Sequence, residues 1–565
     1  MAAIQRRVGL LFGLFVVLLL IASARALYLG GPHSGVLRRA AQTQQLTNEL
    51  VPAQRGTITD RNGVALAISE PAQELSADPY LIKQPLTVAA QLAPLLGLSQ
   101  TRVLTLLGEH TGFVVLARAL PYATAQKALA LTTPGPQGTP VKIPGLQGTP
   151  VMRRVYPRGT LAAQVLGIVG TEHEGAGLMG LEYSENSTLA GRAGERSVVS
   201  DAIGQPISIA ETRHEQEGSS IALTLDANIQ QRAEDVLSAV GRVFHPKDST
   251  AIVMDPRTGA ILAMANWPLV NSNHPPAKPE EAFENRAVSF NYEPGSTFKV
   301  VTVSGALQEA RITPSSGFEI PDQIELGGRT IHDDTEHETE SLTASQILAQ
   351  SSNVGAIKIA GLLGPEKFNS WVHNFGFGAP TGANIPGEEG GATLPLDKYS
   401  GSSMGNLPIG QGELVTPIQM ATLYSAIANG GILRPPHIVG AVGGHTLAEP
   451  AGRRVISPSV AAEVREMLKG VLAPGGTASE VSIHGYQLAG KTGTASKIDP
   501  ETGEYSKSAY VASFVGFAPA SHPKLLCAVI VDEPQAESIY GGVVAAPAFG
   551  QIMEFALPYL GIPPG

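Results

Sequence analysis

The chain has 565 residues, a formal net charge of −10, 16% charged residues and one cysteine. That length accommodates two or three domains with sizeable cores. The charge balance gives neither a nucleic-acid footprint nor a disordered acidic chain. A lone Cys527 excludes an intrachain disulfide framework and cysteine-rich metal sites; in Leu525-Leu526-Cys527-Ala528-Val529 it reads as a small buried hydrophobe.

Arg6 and Arg7 precede an uncharged apolar run from Val8 to Ala24, roughly 26 Å long as a helix. Basic residues ahead of such a run orient the N-terminus inside and the bulk of the chain outside. Ala22-Ser23-Ala24 resembles a signal-peptidase site, but the run exceeds a usual signal core, so a retained anchor over residues 1–29 is expected. Both readings export the remainder.

Arg38 to Asn48 reads as a polar helix. Arg55 to Ala67 contains a strand, a turn at Asn62-Gly63 and a second strand, the pattern of a β-hairpin. Arg55, Asp60 and Arg61 within it read as paired charges fixing a joint rather than as an active cluster. Leu81 to Leu129 shows helical patterns with short breaks. Thr132 to Pro150 holds two near-copies, Pro134 to Val141 and Pro144 to Val151, whose Pro/Gly content suits an extended loop or expanded turn without chemistry. Order returns at Arg153 to Pro157 and Leu161 to Gly170, then Gly177 to Glu182. Gly191 to Gly218 is turn-rich and reads as a linker.

From Ile221 the pattern changes. Ile221 to Leu225 reads as a strand and Asn228 to Leu237 as a helix. Ala251 to Met254 and Ala260 to Met264 flank Asp255 to Gly259 as an antiparallel hairpin. Next comes Tyr292-Glu293-Pro294-Gly295-Ser296-Thr297-Phe298-Lys299, a turn followed by apolar residues at helical spacing. A helix starting at Ser296 puts Ser296 and Lys299 on one face of its first turn. A serine hydroxyl needs a base, and a buried lysine with a lowered pKa can supply one. S-x-x-K alone is common by chance.

Two later fragments sharpen it. Ser351-Ser352-Asn353 follows a helix-like run from Leu342 to Gln350, and Lys491-Thr492-Gly493-Thr494 follows the apolar Leu488-Ala489-Gly490. S-x-x-K, S-x-N and K-T-G in that order form the set of penicillin-recognising serine acyltransferases, with Ser352 standing where the S-D-N form has Asp. Strands at Ala512 to Phe517 and Leu525 to Val531 and a helix at Ala546 to Leu557 close the chain. Sheet, all-helical middle, sheet and final helix predict an α+β layered fold with Ser296 at a sheet–helix junction.

On these residues the chain resembles the class B penicillin-binding proteins, monofunctional membrane-anchored D,D-transpeptidases of peptidoglycan synthesis. Arg55 to Gly63, Arg154 to Gly170 and Gly180 to Glu182 look like the family's N-terminal blocks, and Gly410-Gln411-Gly412 and Gly475-Gly476-Thr477-Ala478 match blocks of its catalytic domain. The resemblance implies three parts: a cytoplasmic stub and transmembrane anchor (1–29), an elongated pedestal of dimerisation type (30–218) and a penicillin-binding transpeptidase domain (219–565). Length and a compact pedestal favour the division-specific septal branch, with the elongation-specific branch as the alternative.

The resemblance makes Ser296 the nucleophile and Lys299 its general base. Ser351 becomes a proton relay held by Lys299 and Lys491, and Asn353 binds the substrate amide. Lys491, Thr492, Gly493 and Thr494 hold its terminal carboxylate, with an oxyanion hole from the Ser296 and Thr494 N–H groups. The implied partners are stem pentapeptides of lipid-linked or nascent glycan, β-lactams, a polytopic membrane glycan polymerase and division-complex proteins, with no nucleic acid. No cofactor or metal is needed. A β-lactamase or a β-lactam sensor is a less favoured alternative, since no deacylating base is identifiable. Two further patterns are set aside: Gly401-Ser402-Ser403-Met404-Gly405, a G-x-S-x-G match lacking the buried strand that motif requires, and His332, Asp333, Asp334, Glu336 and His337, which lack regular metal spacing and read as a solvated loop near the cleft.

Overall fold

The computed structural model describes residues 2–30, 46–135, 138–170, 175–200, 206–535 and 538–564. They divide into two compact units, one built from residues 1–54, 71–152 and 191–218 and the other from 55–70, 153–190 and 219–565.

In the first unit, helix Ala2–Gly30 contains the segment Arg6–Tyr28, the one helical stretch among the described residues long and apolar enough to cross a membrane. Of the expected helix at Arg38 to Asn48, most lies outside the described residues, and its last three residues belong to strand Leu46–Val51 instead. That strand pairs antiparallel with Gly194–Ser200, which pairs with Pro206–Arg213. The turn-rich linker expected over Gly191 to Gly218 is therefore largely two strands. The helical reading of Leu81 to Leu129 also needs correction. Helices Pro85–Leu96, Gln100–Leu107 and Tyr122–Leu129 are present, but Val114–Pro121 is a strand paired with Ala72 to Ala77. Leu75, Val88, Leu92, Val103, Leu106 and Leu116 form this unit's core. The Pro/Gly segment forms a small hairpin, Thr132–Pro134 with Pro140–Lys142, followed by strand Leu146–Val155.

In the second unit a five-stranded antiparallel sheet runs in the order Ile261–Trp267, Asp248–Met254, Leu525–Asp532, Tyr505–Ala518, Ala489–Ile498. Both faces are covered, so the central stretches 251–254, 261–265, 514–518 and 525–531 are almost wholly apolar, and alternate residues enter different cores. Val253, Phe514, Cys527 and Val529 pack with Ala227–Phe244 and Ala546–Tyr559 residues such as Ile229, Phe549 and Ile552. Ile252, Met254, Val515, Leu526 and Ala528 pack with Val300, Val303, Leu423 and Tyr424 from helices Lys299–Gln308 and Pro417–Ala428.

The expected all-helical middle contains helices Ala344–Gln350, Asn353–Leu363 and Pro365–Asn374, and it also carries two small two-stranded sheets, Gly317–Ile320 with Glu340–Thr343 and Gln323–Leu326 with Arg329–His332. The Asn62-Gly63 hairpin is present, with Gly63 at φ 83°. Arg55 pairs with Glu182 at 2.6 Å, and Arg154 joins the same carboxylate at 2.7 Å, all three buried. Asp60 instead accepts from the N–H groups of Asn62, Val64 and Ala227, tying the turn to helix Ala227–Phe244. Arg61 is exposed.

Candidate active site

The expected helix start at Ser296 is a single 3-10 turn, Gly295–Phe298, leading into the α-helix Lys299–Gln308. Residues i and i+3 eclipse in a 3-10 turn, so Ser296 and Lys299 keep a common face. Gly295 sits at φ 54°, and its N–H donates to Gly410 O at 3.0 Å. Thr297 Oγ1 donates to Pro294 O at 2.7 Å, and Tyr424 OH donates to Thr297 O at 2.9 Å. Gly295, Thr297, Phe298 and Lys299 are buried while Ser296 alone in the turn remains half-buried, which leaves its hydroxyl accessible.

Lys299 is fully buried. Its Nζ donates to Ser351 O at 2.5 Å, Ser351 Oγ at 3.2 Å and Asn353 Oδ1 at 2.7 Å. Burial pushes its pKa down to about 8, against an upward pull from Asp334 and Asp333. The partners arrive through a sharp turn. Helix Ala344–Gln350, with a Thr343–Gln346 capping box, ends at Ser351 in the left-handed region (φ 66°), and Ser352 then caps helix Asn353–Leu363 through Gly355 N.

Lys491 lies on strand Ala489–Ile498, the edge of the five-stranded sheet, and is also fully buried. Its Nζ donates to Thr492 O at 3.1 Å and Thr492 Oγ1 at 3.3 Å, whereas Ser351 is bonded by Lys299. Desolvation, then the neighbouring Lys299 charge, hold its pKa well below the usual lysine value. Thr492 Oγ1 shares a 2.6 Å hydrogen bond with Thr477 Oγ1, so the Gly475-Gly476-Thr477-Ala478 block supports the strand. Gly493 brings the strand onto the serine turn: a Cβ there would stand 2.4 Å from Ser513 Oγ and 3.0 Å from Pro294 O. Gly541 N donates to Thr494 Oγ1 at 3.1 Å, and Thr494 is half-buried.

The three fragments thus meet in one place, through the Lys299 bonds to Ser351 and Asn353 and the close approach of Gly493 to Pro294, with both amines buried and Ser296, Asn353 and Thr494 partly exposed. Such a site suits acyl transfer: an amine of lowered pKa one turn from the Ser296 hydroxyl and bonded to that of Ser351, and N–H groups at the start of a helical turn where an oxyanion would form.

Sequence reasoning missed two groups. Glu293 accepts from Gly412 N at 3.0 Å and Tyr505 OH at 3.1 Å, bracing the segment ahead of Ser296. Asp333 lies in the expected loop but is not solvated: its side chain is largely buried and bonds the Ser352–Val354 turn. The other patterns carry no site: Ser403 is buried in the short helix Ser403–Asn406, burial pushes the Cys527 thiol up, and no set of three or more His, Cys, Asp or Glu among the described residues could hold a metal ion.

Residues 249–554 match the penicillin-binding protein transpeptidase domain, and residues 50–223 the penicillin-binding protein dimerisation domain. The chain belongs to the class B penicillin-binding proteins. Penicillin-binding protein PbpB of Mycolicibacterium smegmatis is 33% identical, covering 97% of this chain and 89% of that one. The probable peptidoglycan D,D-transpeptidase PenA of Neisseria gonorrhoeae is 33% identical over 99% and 93%, and the peptidoglycan D,D-transpeptidase FtsI of Escherichia coli 31% identical over 99% and 93%. Among solved structures, penicillin-binding protein 3 of Mycobacterium tuberculosis in complex with aztreonam matches at TM-score 0.69, 29% identity, 92% of this chain and 98% of that one. This penicillin-binding protein thus shares a mixed α/β transpeptidase fold with its relatives, preceded by a dimerisation-type region and one apolar N-terminal helix.

Proposed function

We propose that this penicillin-binding protein is a peptidoglycan D,D-transpeptidase that cross-links stem peptides through an acyl-enzyme on Ser296. The observation that carries the reading is the fully buried Lys299, poised between Ser351 and Asn353 one turn from Ser296, with its pKa lowered to about 8.

Lys299, neutral when attack begins, takes the Ser296 proton as Oγ bonds to the carbonyl of the penultimate D-Ala. The N–H groups of Ser296 and Thr494 receive the oxyanion, a contribution of roughly 3 kcal/mol per donor in comparable acyl transfer. The proton passes through Ser351 to the departing nitrogen, and the bond to the terminal D-Ala breaks. Lys491, Thr492, Gly493 and Thr494 hold the terminal carboxylate and Asn353 the peptide amide. The amine of a second stem peptide then attacks the ester, loses a proton and frees Ser296. β-Lactams mimic the acyl-D-Ala-D-Ala end and acylate the same hydroxyl.

The kinship with FtsI favours work at the division septum over side-wall elongation. Residues 1–29 serve as a single membrane anchor with the N-terminus in the cytoplasm, on the strength of Arg6 and Arg7; residues 30–218 act as the pedestal and 219–565 as the transpeptidase. A polytopic glycan polymerase and other division proteins are the partners this layout calls for.

Incubation with a donor peptide ending in D-Ala-D-Ala and a D-amino acid acceptor tests the chemistry. The expected result is release of D-Ala with formation of the exchanged peptide, lost in Ser296→Ala. Hydrolysis without transfer, or activity surviving that substitution, contradicts it. A tagged copy should gather at midcell; uniform side-wall localisation would favour the elongation role.

A further inference from the structure

The S-x-N turn has Ser352 where the S-D-N form has a carboxylate, and a carboxylate reaches it from another part of the chain. The hairpin of Gln323–Leu326 and Arg329–His332 leads directly into Asp333, whose own N–H donates to Asp322 O at 3.1 Å. The Asp333 side chain is 9% exposed. Its Oδ1 accepts from Asn353 N and, at 3.0 Å, from Val354 N. Its Oδ2 accepts from Ser352 Oγ at 2.8 Å and lies 3.2 Å from His337 Nε2.

These bonds reach the reacting groups in one step. Asn353 N and Val354 N are free donors at the start of helix Asn353–Leu363, where a carboxylate is favoured. With its backbone fixed by Asp333, Asn353 accepts from Lys299 Nζ through Oδ1 and donates through Nδ2 to His332 O at 2.9 Å. Ser352 Oγ, donating to Asp333, still accepts from Gly355 N at 2.8 Å.

We propose that Asp333 is a positioning residue for acyl transfer: from a separate hairpin it fixes the Ser352–Val354 turn, and through it the Asn353 amide and Lys299 amine, in register with Ser296. This rests on the acyl-transfer reading above. The charge of Asp333 also acts on Lys299, raising its pKa together with Asp334 against the effect of burial. The other ionisable groups around Asp333 are His337, Asp322 and, beyond Lys299, Lys491. Removing the Asp333 charge leaves Lys299 with less to favour its protonated form, so its pKa falls further.

The test is the second-order rate of acylation by a fluorescent penicillin, from pH 6 to 10, for the full chain in detergent. Asp333→Asn should lower the high-pH rate on the order of tenfold and move the acid limb to lower pH. A merely structural role would reduce the folded fraction and leave the limb where it is. Returning the carboxylate to the turn itself, in the double variant Asp333→Ser with Ser352→Asp, should restore the rate to within a few-fold of wild type, and this variant decides alone if the single one does not fold. An unchanged rate and limb in Asp333→Asn, a loss matched by unfolding with an unmoved limb, or no recovery in the double variant would overturn the proposal. Wild type and Ser296→Ala run alongside: no acylation of wild type would sink the acyl-transfer reading itself, whatever Asp333 does.

Discussion

Gly410 lies so close to Gly295 that a Cβ on it would stand 2.2 Å from the Gly295 carbonyl oxygen. Gly410 is also at φ 81°, a conformation costly for other residues, and its carbonyl accepts the Gly295 N–H at 3.0 Å. The Gly410-Gln411-Gly412 block therefore shapes the turn bearing Ser296 without reaching the reaction itself. Gly410→Ala should displace that turn and cut the acylation rate on the order of a hundredfold, the effect of a misplacement of about 1 Å. Labelling kinetics on the folded variant check it; a rate near wild type would show that the turn does not depend on this contact.

The lowered pKa of Lys299 sets the pH dependence. Attack needs the neutral amine, so acylation should rise about tenfold per pH unit in the acid range and level off near pH 8. Lys299→Arg stays protonated throughout and should not acylate. Stopped-flow labelling across the range reads both, and a flat profile would remove Lys299 from the role of base.

Glu413 is fully buried, with Leu394 N donating to Oε2 at 3.2 Å and Oε1 unpartnered. Burial raises its pKa from 4.5 to about 8. Between those values the folded protein holds a proton that the unfolded chain has released, so stability falls as pH rises through that window, by on the order of 1 kcal/mol per unit. Glu413→Gln removes this slope. Its Tm should exceed that of wild type at pH 8 to 9 and converge with it near pH 5; parallel Tm curves would contradict the assignment.

Glu182 balances two buried guanidinium groups. Glu182→Ala leaves both without their counter-charge, which in buried pairs costs roughly 3–5 kcal/mol. Chemical denaturation should show that loss as a lower midpoint at unchanged slope.

Much of this was legible in the sequence because the chemistry is local to short motifs and the central strands of the sheet are runs of apolar residues. S-x-x-K, S-x-N and K-T-G name their residues without any knowledge of packing, and the strands from Asp248 to Trp267 and Leu525 to Asp532 announce themselves by composition. Val114–Pro121 was masked, since Leu116, Ala117 and Leu120 fit helical spacing as well as Val114 and Leu116 fit alternation. Gly194–Ser200 begins Gly-Glu-Arg-Ser and reads as turn, its pairing being supplied by two neighbouring strands. Asp333 reads in the sequence only as part of an acidic loop near the cleft: its role comes from a hairpin folding back onto a turn some twenty residues later, and spacing within the acidic run says nothing of that.

The account stands or falls on where a penicillin bonds. The protein, incubated with benzylpenicillin, digested and mapped by tandem mass spectrometry, should carry one penicilloyl group, on Ser296, that is absent from Ser296→Ala and persists for minutes or longer. An adduct on any other residue, or a Ser296 adduct lost within seconds as in a β-lactamase, would contradict it.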